Sequence, residues 1–143
     1  SGVSALSVNE VRFCFKRVRF KLPGELTNSD PALDVDNIDF VIGEKILNTL
    51  GDNFGSINVL PGNYARIEFD LANTCGNGYS VYMVNSSGTF STSKGAKINF
   101  SGNITINGDT SIELMLQNLI FSLNSVTNNT DIKTNLEAAS GVF

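Results

Sequence analysis

The chain has 143 residues, 14 acidic against 10 basic for a net charge of −4, and it contains no His and no Trp. That length supports one domain with a sizeable core, and the absence of His removes Ser-His and Cys-His nucleophiles, imidazole metal sites and the usual pH switch. Asn, Ser, Thr and Gly fill 56 positions while charged residues make up 17 %, a balance that suits a β-rich extracytoplasmic domain and argues against nucleic acid, which needs clustered Lys and Arg.

Period-two alternation dominates and helical periodicity is scarce. Val11, Phe13 and Phe15 share one face of the first strand, but beyond Lys16-Arg17 the apolar set becomes Val18, Phe20 and Leu22, in the opposite phase. Such a phase change turns side chains to the other face unless an extra residue is absorbed, so a β-bulge is predicted near Lys16-Arg17. Pro23-Gly24 ends this strand, and residues 24–37 read as a long acidic loop. Residues 38–42 and 56–60 read as short strands, and residues 43–50 as a helical turn or a strand. Residues 64–71 form the clearest strand, with Ala65, Ile67, Phe69 and Leu71 inward and Tyr64, Arg66, Glu68 and Asp70 outward.

Residues 79–84 and 89–91 flank a hairpin-type turn at 85–88. Strands over 96–100 and 103–106 follow, then Asn107-Gly108-Asp109, a hairpin signal because Asn-Gly tolerates positive φ. Residues 110–117 are the expected second arm, 119–123 the last core strand, 127–135 a polar stretch and 136–143 a weak tail. Eight to ten short strands separated by Gly, Asn and Pro turns predict an all-β fold, a single antiparallel β-sandwich over residues 1–143.

Charge is unevenly placed. Arg12, Lys16, Arg17, Arg19 and Lys21 form a basic strand, whereas Glu25, Asp30, Asp34, Asp36, Asp39, Glu44 and Asp52 face Lys45 alone. The two segments are expected to neutralise each other; the competing reading is a basic patch for an anionic glycan or a lipid headgroup.

Cys14 and Cys75 cannot build a four-ligand zinc site. A disulfide between them would close a loop of about sixty residues and stabilise by about 4 kcal/mol in the chain-entropy model; the alternative is two thiols in a reducing compartment. Asp34-Val35-Asp36-Asn37-Ile38-Asp39 is the one dense carboxylate cluster. Calcium at Asp34, Asp36 and Asp39 is a candidate, although the spacing lacks the glycine and distal Glu of an EF-hand; a solvated loop opposite the basic strand is the other reading, and no further cofactor is expected. Glu68, Asp70 and Glu113 are read as solvent-face charges rather than a glycosidase pair. Tyr64 is either a binding residue or a buried corner tyrosine, and Asn85, Asn103 and Asn128 begin matches to the N-glycosylation pattern.

Residues 60–71 (Leu60-Pro61-Gly62-Asn63-Tyr64-Ala65-Arg66-Ile67 and onward) resemble an uncharacterised family of bacterial exported lipoprotein domains with a Leu-Pro-x-Gly-x-Tyr-x-x-Ile segment before an alternating strand. The Val-x-Phe-x-Phe-x-x-Val start over 11–18, the strand from Ile38 and the Lys97-Ile98-Asn99-Phe100 strand are similar in order. The resemblance implies a transthyretin-like or immunoglobulin-like sandwich at the cell surface, outer membrane or periplasm, and it carries no catalytic residue.

The expected function is therefore a non-catalytic binding or adhesion module of a bacterial surface lipoprotein, a fragment of a longer exported precursor anchored upstream. Loops at one end of the sandwich would contact a surface glycan or protein through Asp30, Asp34, Asp36, Asn37, Asn77, Tyr79, Ser86 and Ser87. A monomer is expected. The alternative is a structural or tip subunit of a fibre, pilus or phage-type appendage.

Overall fold

The computed structural model describes residues 8–23, 37–38, 43–47 and 54–143. Its frame is an 8-stranded mixed sheet. In chain order the strands are β1 (Glu10–Lys21), β2 (Asn37–Ile38), β3 (Gly43–Ile46), β4 (Gly62–Leu71), β5 (Val81–Asn85), β6 (Gly88–Thr92), β7 (Ala96–Ile106) and β8 (Ser140–Val142). Two helices, α1 (Gln117–Ser122) and α2 (Asp131–Ala138), lie between β7 and β8, with a 3-10 turn at Leu123–Ser125 after α1.

β1 organises the molecule. Its first half pairs with β5 (Arg12 opposite Tyr82) and its second half with β4 (Arg19 opposite Glu68). Cys14 marks the change of partner: its N–H donates to Ser80 O at 2.9 Å and its C=O accepts from Ala72 N at 3.1 Å. The N–H and C=O of one strand residue point to the same edge, so β5 and β4 share one edge of β1. β3 and β2 take the other edge, with Cys14 opposite Glu44 and Val18 opposite Ile38.

The predicted bulge is present, as a register shift between Phe15 and Arg17. It keeps Val11, Phe13, Phe15, Val18 and Phe20 all in the core, which strict alternation would forbid. A second shift, between Tyr64 and Arg66, corrects the phase expected for β4. Tyr64, not Ala65, turns inward; its ring packs edge-on against Phe20 at 5.6 Å and its hydroxyl donates to Leu60 O at 2.5 Å. Tyr64 is thus a buried corner residue. Phe15, Phe69 and Phe100 continue the core in edge-to-face contacts of 5.3 and 5.8 Å.

Three strand expectations fail. Residues 56–60 form no strand. Residues 110–116 alternate as predicted, with Ile112, Leu114 and Leu116 packed on the core, yet they form no hairpin with β7; Met115 makes a single bridge to Val142. Residues 119–123 are helical, because the buried set is Leu119, Ile120 and Leu123 while Phe121 is 45 % exposed. A strand would have buried 119, 121 and 123 together. The polar stretch over 127–135 carries the start of α2, which buries Ile132 and Leu136, four residues apart. Its Asn135 side chain donates to Ser122 O, satisfying a carbonyl at the end of α1.

The two helices make the crossover that a parallel pair requires, and β8 joins β7 in parallel register, Phe100 opposite Gly141. The sheet is therefore mixed rather than purely antiparallel.

Candidate functional site

The bulge separates β1 into two outward-facing charge environments. Beyond it, Arg17, Arg19 and Lys21 lie across from Asp70, Glu68 and Arg66 of β4. Arg19 donates to Asp70 at 2.9 Å, and Glu68 lies 3.9 Å from the same guanidinium nitrogen. Arg19 is 6 % and Glu68 7 % exposed, so this ladder is buried structure rather than a surface patch. Among the described residues, the acids nearest the basic strand are Glu68 and Asp70 of β4, Glu10, and, from the acidic segment, Glu44, which approaches Arg12 at 3.7 Å; the other acids of that segment lie outside the described residues.

Before the bulge, the outward side chains are Glu10, Arg12 and Cys14. Register places Tyr82 beside Arg12 on one side and Ile46 on the other, with Glu44 beside Cys14. The Cys14–Cys75 disulfide, Cα to Cα 6.0 Å, draws the β4–β5 connection back onto this face. Gly76 and Gly78, at φ +84° and +83°, give that connection turns a Cβ would strain. The turn then returns two side chains to Glu44: Tyr79 Oη donates to Oε2 at 2.7 Å, and Asn77 Nδ2 donates to the same oxygen. The Tyr79 and Tyr82 rings lie 5.4 Å apart, tilted by 35°, and Arg12 sits 5.5 Å above Tyr82. Arg12 Nε reaches Glu10 at 2.5 Å.

The electrostatics follow from these contacts. The Glu44 hydrogen bond, helped by desolvation, raises the Tyr79 phenol above its ordinary value against the opposing pull of Arg12. The Glu10 hydrogen bond raises the Arg12 guanidinium, opposed by desolvation. Two carboxylates thus hold one guanidinium and one phenol in their protonated forms. The face offers tyrosine ring surface, carboxylate oxygens and an exposed amide; Ile46, 54 % exposed, borders it.

Of the residues proposed from sequence, Asn77 and Tyr79 converge here. Ser86 and Ser87 do not: they occupy the β5–β6 turn at the far end of β5, about 17 Å of strand away. The turns over 73–78 and 85–88 therefore lie at opposite ends of one strand, not together at one end. Asn85 serves that turn. It donates to Leu123 O and Val126 O and accepts from Ser87 N, so its amide is engaged and buried, which removes it as a glycan acceptor. Asp30, Asp34, Asp36 and Asp39, and with them the calcium reading, lie outside the described residues; Asn37 is described as a β2 residue only.

In sequence Arg12 and Glu44 stand out only as members of the basic strand and the acidic segment, and Glu10 is not singled out. The outward phase of β1 would have pointed to Glu10 and Arg12, but Glu44 needed the β1–β3 register. No protein-family model matches the chain, and no curated protein or solved structure is significantly similar to it.

Proposed function

We propose that the chain is a binding module displayed outside the cytoplasm at a bacterial cell surface, acting without catalysis, and that its ligand is a glycan held on the Tyr79–Tyr82 face. The observation that carries the reading is the convergence of Asn77, Tyr79 and Glu44 beside Tyr82 and Arg12 on a disulfide-fixed turn. Aromatic rings beside carboxylate and amide groups suit a sugar ring, with one apolar face and an edge of hydroxyls. Arg12 is already engaged by Glu10 and Glu44, so the local charge favours a neutral saccharide over an anionic one. The bridged cysteines suit an oxidising compartment, as does the Asn, Ser, Thr and Gly surface.

The fold is proposed in finer terms as a β-sandwich, transthyretin-like or immunoglobulin-like, bent about β1. Its support is the exchange of β5 for β4 along one β1 edge at Cys14. The resemblance to exported lipoprotein domains supports the same reading, although Pro61 and Tyr64 stand one residue closer than that family's pattern has them.

An array of neutral and anionic saccharides tests the function. Neutral glycans should bind, and Tyr82→Ala should weaken binding at least tenfold, the scale of a hot-spot loss of about 2 kcal/mol. Preference for anionic glycans, or an unaffected variant, would defeat the reading.

A structural subunit of a surface appendage is the second reading. Favouring it, the sheet ends in the three-residue β8, where Met115 and Val142 expose apolar side chains. Light scattering separates the two: a stable oligomer favours the subunit, a monomer the binding module.

A further inference from the structure

We propose that the Cys14–Cys75 disulfide is a redox latch on the Tyr79–Tyr82 face: its reduction releases Asn77 and Tyr79 from Glu44 while the sheet stays folded. The effect on ligand rests on the binding role proposed above; the release itself does not.

The latch closes a ring. Cys14 and Glu44 are register partners on β1 and β3. Cys75 stands two residues before Asn77 and four before Tyr79, and both of those side chains donate to Glu44. Tyr79 also lies against the Tyr82 ring and is followed by buried Ser80, whose N–H and hydroxyl bond Thr92 O and Lys94 O, but the holds on residues 73–78 themselves are slight. Thr74 N bonds Ala72 O within the turn, and Thr74 Oγ1 lies 3.4 Å from Cys14 Sγ. Asn73, Thr74, Gly76, Asn77 and Gly78 are exposed, and no residue from 73 to 79 belongs to the core. A segment so weakly packed draws on the low-stability end of the molecule once its covalent tie is cut.

The sheet has no such dependence. β4 and β5 hold β1 through backbone pairing over Phe15–Lys21 and Glu10–Phe13, and Cys14 itself bonds Ser80 and Ala72 through its main chain. Those bonds involve no sulfur.

Access to the two sulfurs is unequal. Cys14 is fully buried and Cys75 is partly exposed, so a dithiol reductant reaches the bridge from the turn. Its thiolate attacks Cys75 Sγ, the S–S bond breaks, and Cys14 leaves as a thiolate that takes a proton. The second thiol of the reductant then attacks the mixed disulfide, releasing Cys75 as a thiolate, which is protonated. Two electrons pass to the protein and the reductant becomes a cyclic disulfide.

The experiment follows Tyr79 ionisation by phenolate absorbance, with the Tyr79→Phe curve subtracted, in oxidised protein and after anaerobic dithiothreitol. Amide exchange at Phe13, Phe69 and Phe100 reports the sheet in parallel. In the oxidised form Glu44, Arg12 and Tyr82 face the phenol, with Glu10 bonded to Arg12, and its midpoint should lie above the ordinary tyrosine value of about 10; on reduction it should fall back to that value with sheet protection retained. The Cys14→Ala/Cys75→Ser double variant should match the reduced protein without reductant. An unchanged midpoint, or loss of sheet protection together with the shift, overturns the latch. Binding of a neutral saccharide is measured alongside. Should oxidised protein bind none while the midpoint still moves, the latch stands and the binding role falls.

Discussion

Glu44 is the residue on which the outward face converges: a phenol, an amide and a guanidinium all approach its carboxylate. Its bond raises the Tyr79 phenol above its ordinary value, and the sign of the pH effect follows. The folded-state value is raised, so the contribution to stability is complete below the ordinary tyrosine range and is lost as pH rises through the raised value. Denaturant midpoints of wild type and Tyr79→Phe should therefore differ at neutral pH and converge at alkaline pH. Gly141 is constrained in another way. A Cβ there would stand 2.3 Å from the Phe100 ring and 2.7 Å from Met115 O, closer than real contacts allow. Gly141→Ala should cost about 1–3 kcal/mol in urea unfolding, as overpacking does, with loss of amide protection concentrated in β8.

At the scale of elements, the β1 bulge sets which charges are buried and which meet solvent. Arg19 lies with Glu68 and Asp70 across the β1–β4 pair, and truncating it removes the close bond to Asp70 while Arg66 stays on Glu68 at 3.2 Å and Arg17 near Asp70 at 3.9 Å. Arg19→Met should lower unfolding free energy by about 1–3 kcal/mol, measured by denaturant titration. The bulge was legible in sequence because one phase change within an apolar run has few other solutions. The inward turn of Tyr64 is one of two readings offered by its place after a Pro-Gly-Asn turn, while alternation sets it outward, since a bulge at Ala65 leaves the pattern from Ile67 to Leu71 untouched. The helices eluded period-two reading for different reasons. Residues 119–123 are a short apolar run, consistent with strand or helix until Phe121 is known to be exposed. α2 reads in sequence as a polar stretch and a tail, although Ile132 and Leu136 and the Lys133–Glu137 pair, bonded at 3.0 Å, carry the four-residue spacing of a helix. Of the proposed ligand residues whose side chains are described, Asn77 and Tyr79 reach the face and Ser86 and Ser87 do not; the turn and its cysteine were readable, whereas Glu44 depends on strand register, which composition does not encode.

At the scale of the whole molecule, the disulfide crosses the point where β1 exchanges β5 for β4, joining the middle of the first strand to the connection between its two partners. It closes a loop of 61 residues in sequence separation, for which loop-closure entropy gives about 4 kcal/mol. The double cysteine variant should lose stability on that scale yet keep its sheet, because the strands on either side of Cys14 pair through backbone bonds. The bridge thus does two things: it constrains the unfolded chain and fixes the turn that builds the face.

The central claim is that this face binds ligand. Its most direct test is the affinity of a neutral saccharide from the array, measured by titration calorimetry on wild type and on Tyr82→Ala. Tyr82 lies outward and half-exposed beside Arg12, so the variant should keep its fold by circular dichroism. A loss of affinity of at least tenfold with the fold unchanged is expected; equal affinity in the folded variant would rule out ligand binding at this face.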